Sequence, residues 1–238
     1  MSIFGAEVIG TALLILLGDG VVAATLLNHS KAQNGGWIVI AWGWGMAVAM
    51  AVFAVGQFDG AHLNPAVTLG LAVKGSTPWS DVPKYVGGEF VGAFIGAVLV
   101  FAAYANHWRP TEDPGLKLAV FSTAPAIRNT VANIITEVIG TFVLVFGVLA
   151  IGANKATVAS GLVPLLVGLL VLAIGLSLGG PTGYAINPAR DLGPRIAHAL
   201  LPIPGKGPSD WGYAWIPVVA PLAGGALGAL CFDWWFPG

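Results

Sequence analysis

The 238-residue sequence predicts an all-α membrane protein, with six transmembrane helices plus two re-entrant half-helices arranged as an inverted repeat. Three observations carry that prediction. Hydrophobic residues make up 56% of the chain and charged residues only 9%, against roughly 25% charged in ordinary soluble domains. Six apolar stretches are each long enough to cross about 30 Å of hydrocarbon, which takes about 20 helical residues. The chain also repeats itself: AEVIGTALLILLG (6–18) matches TEVIGTFVLVFG (136–147), with Glu7 and Glu137 in register. One Asn-Pro-Ala follows each copy, in AHLNPAV (61–67) and YAINPAR (184–190).

The six stretches lie at approximately 4–27, 37–56, 85–105, 131–153, 160–179 and 213–236. Polar connections separate them: NHSKAQNGG (28–36), the long segment 106–130, and a short ANKA turn near 155. Segments 57–84 and 180–212 are too interrupted to cross, yet each holds a short apolar patch. They are expected to be half-helices, which lipid tolerates only where protein surrounds them. The whole chain, 1–238, thus reads as one transmembrane domain of two repeats, 1–105 and 131–238, joined by the loop 106–130. Each half holds three spans, an odd number, so the halves insert with opposite orientation. Inverted repeats place a binding or transport site at their interface near the midplane. The 34 glycines suit close helix packing in lipid. The N-terminus, MSIFGAEVIG, lacks the basic region of a cleaved leader, so its apolar stretch is expected to stay.

Other function classes are excluded on composition. A net charge of −1 offers nothing to nucleic acid. A single cysteine, Cys231, forms no intramolecular disulfide. No nucleophile–base pair or cluster of metal ligands stands at a workable spacing, so neither an enzyme nor a cofactor is expected. Loop charge does not orient the chain. With a cytoplasmic N-terminus the inner side holds Lys74, Lys84 and Lys155. The outer side then holds Lys31, Arg109, Lys117, Arg128, Arg190, Arg195 and Lys206, against the positive-inside rule.

The repeated Asn-Pro-Ala has a physical reading as a helix start. Asn is among the best N-caps, because its side-chain oxygen accepts an orphan backbone N–H. Pro is favoured at the first helical position, where a missing N–H costs nothing. Asn64, Pro65 and Ala66 would open one half-helix over 66–73, and Asn187, Pro188 and Ala189 a second over 189–200. An ordinary cap at a surface loop would explain one copy. Two inverted copies instead bring two positive helix ends together inside the membrane, with each amide NH₂ free to donate.

At these residues the chain resembles the major intrinsic protein family of aquaporins and aquaglyceroporins. The resemblance covers nearly the whole length, through six spans, the repeated Glu, GAHLNPAVT (60–68) and GYAINPARDLGPR (183–195). It implies an aquaporin-like fold in the cell (plasma) membrane, a cytoplasmic N-terminus and a homotetramer with one pore per protomer. A four-residue constriction sorts solutes in that family, and the resemblance places it at Trp44, Gly175, Tyr184 and Arg190. Water-selective members resemble Phe–His–small–Arg there, whereas Trp, Gly, an aromatic and Arg look like bacterial glycerol facilitators. Asp191 with Arg195, and Pro217 followed by Val218, resemble the same subfamily. Trp42, on another face of its helix, is expected to pack or to face lipid.

The chemistry of those types agrees with that expectation. A glycine in place of His widens the gate. Trp44 and Tyr184 offer an apolar corner to a carbon chain, while Arg190 offers donors to hydroxyls. Facilitators usually carry Phe where this chain has Tyr184, and the phenol adds a polar handle. The expected solutes are therefore glycerol, water and a small neutral hydroxy acid such as protonated lactic acid, whose anion would cost far more to desolvate. Glu7 and Glu137 are expected to accept hydrogen bonds from the half-helix loops rather than relay protons, with Glu89 and Asp191 also in supporting roles. That arrangement turns the carbonyls of Gly60, Ala61, His62, Gly183 and Ala185 toward the pore, with the His62 ring packed behind. Asp19 is placed either at the outer vestibule or in a hydrogen bond between spans. An ion-coupled transporter and a fluxless junction protein are the rival classes; the paired caps favour a channel over the first, Gly175 and Arg190 over the second.

Overall fold

A computed structural model describes residues 1–236; residues 237 and 238, the last two of the predicted second repeat, lie outside the described residues. It contains ten helices and no strand among those residues: α1 (Ile3–Leu26), α2 (Gly36–Asp59), α3 (Pro65–Val73), α4 (Val82–Ala103), α5 (Pro114–Phe121), α6 (Thr130–Ala153), α7 (Lys155–Ser160), α8 (Val163–Leu178), α9 (Pro188–Leu200) and α10 (Ile216–Trp235). Five of them, α1, α2, α4, α6 and α10, are long and apolar enough to span a membrane. At 1.5 Å per residue the 24-residue helices reach about 36 Å.

The fifth predicted span differs from its expected bounds. Over 160–179 the helix begins only at Val163 and runs for 16 residues, about 24 Å. The reason is local. Gly161 adopts a left-handed conformation (φ 72°) and ends the short helix α7, and Pro164 then starts α8. The connecting loop 106–130 is likewise not bare, since Asp113 caps the start of α5 by accepting from the Gly115 N–H at 2.7 Å.

The half-helices α3 and α9, of nine and 13 residues, together match about the length of one crossing. Packing follows the repeat. Helix α1 lies on α4 as α6 lies on α10, and α2 meets α8 between the halves. Each half-helix docks on the last long helix of the other half, α3 on α10 and α9 on α4. The α1–α4 contact is close because of a glycine stripe. A Cβ on Gly92 would stand 2.5 Å from the Val8 carbonyl oxygen, and one on Gly96 would stand 2.6 Å from that of Ala12. Backbone cannot yield as a side chain can. Gly92→Val is accordingly expected to cost at least about 1–3 kcal/mol by overpacking. The check is a lowered thermal midpoint and a reduced monodisperse fraction in detergent.

Candidate functional site

The site grows from the two Asn-Pro-Ala turns. Asn64 accepts from the Ala66 N–H at 2.9 Å, and Asn187 accepts from the N–H groups of Ala189 and Arg190 at 3.0 and 3.1 Å. Pro65 and Pro188 each open their helix. The amides are not wholly free, however. Asn64 Nδ2 donates to the Ile186 carbonyl and Asn187 Nδ2 to the Leu63 carbonyl, both at 2.8 Å. One N–H of each NH₂ thus ties the two loops together, and one is left for a solute.

Both loops adopt a backbone that most residues avoid. Ala61 and Leu63 have φ of 53° and 57°, and their repeat counterparts Tyr184 and Ile186 have φ of 39° and 42°. Left-handed conformations cost L-residues about 1–2 kcal/mol each, so something must over-determine them. Two buried carboxylates do so. Glu7 accepts from the N–H groups of His62 and Leu63 at 2.7 and 2.8 Å, and Glu137 from those of Ala185 and Ile186 at 3.0 and 2.8 Å. Glu89 supports the layer behind by accepting from the Thr68 hydroxyl at 2.7 Å. Because that hydroxyl proton goes to Glu89, His62 Nδ1 is the donor to Thr68 Oγ1 at 2.9 Å. The His62 ring lies stacked on Tyr85, centroids 3.7 Å apart.

A cavity of about 430 Å³ runs past these loops, from Trp44, Tyr184 and Arg190 to Lys74 and Phe232. One wall is aliphatic, with Leu14, Val48, Val52, Leu144, Val167 and Val171. The other carries Asn64, Asn187 and the loop backbone. Of the five residues expected to present carbonyls, Gly60, Ala61, His62 and Ala185 border it. Gly183 does not; it sits against Thr123.

At one end the Arg190 guanidinium lies over the Trp44 ring, 4.1 Å from its centroid, and Nη1 donates to the Phe121 carbonyl at 3.3 Å. Tyr184 stands beside them, held edge-on to Trp37 with centroids 5.6 Å apart. Gly175 is present but does not open onto the cavity. A Cβ there would stand 2.8 Å from Tyr184 Cζ and 3.0 Å from its hydroxyl oxygen. The phenol therefore fills the slot that glycine leaves. Its hydroxyl is buried without a partner among the described residues, so the expected polar handle is turned into the wall. Trp42 is 48% exposed on the outer surface, away from this cluster.

The major intrinsic protein profile matches residues 2–232. The chain belongs to the major intrinsic protein family. It is 62% identical over 236 residues to the probable glycerol uptake facilitator protein of Thermotoga maritima, covering 99% of this chain and all of that one. The glycerol uptake facilitator protein of Bacillus subtilis is 58% identical over 238 residues, all of this chain and 86% of that one. Among solved structures, the aquaglyceroporin from Plasmodium falciparum superposes with a TM-score of 0.83 at 29% identity, over 97% of this chain and 94% of that one. The chain is thus a multi-pass protein of the cell membrane with the aquaporin-like fold, and a channel rather than an enzyme.

Within this major intrinsic protein the layer behind Arg190 is built by an acid and a base one turn apart. Asp191 accepts from the backbone and hydroxyl of Thr123, both at 2.7 Å, and from Arg195 Nε at 2.8 Å. Arg195 reaches on to the carbonyls of Thr123 and Ser209 at 2.9 and 2.8 Å. The segments around Thr123 and Ser209 are thereby pinned, and the first of them follows Phe121, whose carbonyl receives Arg190. Sequence reasoning missed Trp37, whose Nε1 donates to the Gly175 carbonyl at 2.9 Å. A signal was available, since Trp37 and Trp44 stand two helical turns apart on one face of α2. Nothing local marked Phe121 or Thr123, which reach the site only through tertiary packing.

Proposed function

We propose that the protein is a passive channel for glycerol, water and other small neutral solutes, protonated lactic acid among them, and that it excludes ions and protons. The carrying observation is the two-sided cavity. A polyol can slide its carbon chain along the aliphatic wall while its hydroxyls exchange partners along carbonyls, amides and Arg190. The glycerol uptake facilitators named above lend support at high identity over full length. On this reading residues 1–238 form one channel domain of inverted repeats 1–105 and 131–238. Trp44, Gly175, Tyr184 and Arg190 make the selective constriction, the N-terminus is cytoplasmic, and protomers associate as a homotetramer.

Stopped-flow light scattering on proteoliposomes tests the solute range. Glycerol and water should equilibrate well above protein-free vesicles. Lactic acid should do so only at acidic pH, where it is neutral. Glycerol equilibration at the protein-free rate would refute the proposal.

Ion exclusion follows from charge placement. Two helix N-termini point at the midplane, so a cation meets positive potential there, and Arg190 lines the constriction with N–H donors that offer a cation no ligand. The paired Asn donors also orient waters oppositely and break a proton-conducting chain. Planar-bilayer current under a pH gradient is expected to stay at leak level, and a current that scales with inserted protein would contradict this.

A further inference from the structure

We infer that Asp19 is the buried counter-ion of Arg190 and sets the charge that the constriction presents to a solute. It is a positioning and specificity residue, and the inference rests on the reading of Trp44 and Arg190 as a solute filter. Asp19 is completely buried in α1, and its Oδ1 stands 3.6 Å from Arg190 Nη1. Neither carboxylate oxygen receives a hydrogen bond among the described residues. The other fully buried acids, Glu7, Glu89, Glu137 and Asp191, each accept at least one. Hydrogen bonding to a scaffold therefore does not account for Asp19, and the guanidinium is the partner left to it.

The repeat supports the pairing independently. The supporting acids obey it, with Glu7 matched by Glu137. Counted from that register Asp19 falls on Leu149 in α6, and counted from the Asn64–Asn187 register Arg190 falls on Val67 in the first half. Each charge thus occurs once, in opposite halves, and the two meet. Position also matters: Gly18 seats the Trp44 ring, since a Cβ there would lie within 2.5 Å of Trp44 Cε3, and Asp19 is the next residue. One turn of α1 therefore holds both the ring under Arg190 and the charge beside it. The neighbouring ions Asp191 and Arg195 close on each other at 2.8 Å and leave Arg190 to Asp19.

An unpaired charge inside a membrane protein is costly, and the low dielectric makes a close pair strongly attractive. A constriction carrying Arg190 alone would be cationic and would draw anions. With Asp19 behind it, the same N–H donors face the cavity at zero net charge, which suits neutral solutes and disfavours the anion of a hydroxy acid.

The test compares Asp19→Asn in the wild-type and Arg190→Gln backgrounds, in detergent and in proteoliposomes. In wild type, Asp19→Asn should lower the thermal midpoint and shift the water-to-glycerol permeability ratio. In Arg190→Gln the orphaned carboxylate should admit small monovalent cations, and adding Asp19→Asn should raise the thermal midpoint and cut that cation leak by about tenfold. A packing role would predict the same sign of effect in both backgrounds, and that result would overturn the inference. If Arg190→Gln does not fold, the infrared difference between wild type and Asp19→Asn decides. Loss of an ionised-carboxylate band supports the pair, and loss of a protonated carboxyl band refutes it. Wild-type glycerol flux in the same vesicles reports on the channel reading separately.

Discussion

Replacing Glu7 or Glu137 by alanine is expected to collapse the yield of folded protein rather than retune what passes. Each carboxylate satisfies two backbone N–H groups inside the membrane. Leaving them unpaired costs about 1–3 kcal/mol per group. The same substitution releases a loop whose alternate residues are held at positive φ, so the strain there loses its restraint. Glutamine keeps one acceptor oxygen and should lose less. Size-exclusion profiles and thermal midpoints of the Ala and Gln variants in both halves provide the check. A well-folded Glu137→Ala channel with normal glycerol flux but altered proton conduction would instead favour a proton relay.

Gly175→His is expected to reduce glycerol permeability by at least about tenfold while water permeability falls much less. The slot at Gly175 is already occupied by the Tyr184 phenol, so an imidazole has no room beside it. Either the new ring or the displaced Tyr184 must then project toward Trp44 and Arg190. A polyol needs width for its carbon chain that a single file of water does not. Equal losses for both solutes would show that the residue does not govern selectivity. Tyr184→Phe is the companion case. Because its hydroxyl is buried without a partner among the described residues, its removal should change both glycerol and lactic acid flux by less than about twofold, with at most a small effect of a removed unsatisfied polar group on stability.

The sequence was legible where local rules suffice. Asn64-Pro65 and Asn187-Pro188 are helix starts by cap chemistry alone, and the repeat placed Glu7 and Glu137 under equivalent loops. The break before α8 had a signal that went unused, a Gly161 followed by Pro164, as did Asp113-Pro114 at the start of α5. What could not be read depends on distant contacts. The Tyr184 hydroxyl is aimed by its own positive φ, by Trp37 from α2 and by the glycine of α8. The Asn amides reach across to the opposite repeat, and Asp19 finds Arg190 from the far end of the chain. No spacing rule encodes such meetings.

The most direct test of the channel account is the initial rate of glycerol entry into proteoliposomes as its gradient is raised, with all ion gradients collapsed. A passive pore predicts entry proportional to the gradient, unchanged when a proton or sodium gradient is imposed. Entry that saturates at low glycerol and depends on an ion gradient would contradict it and make the protein a coupled transporter.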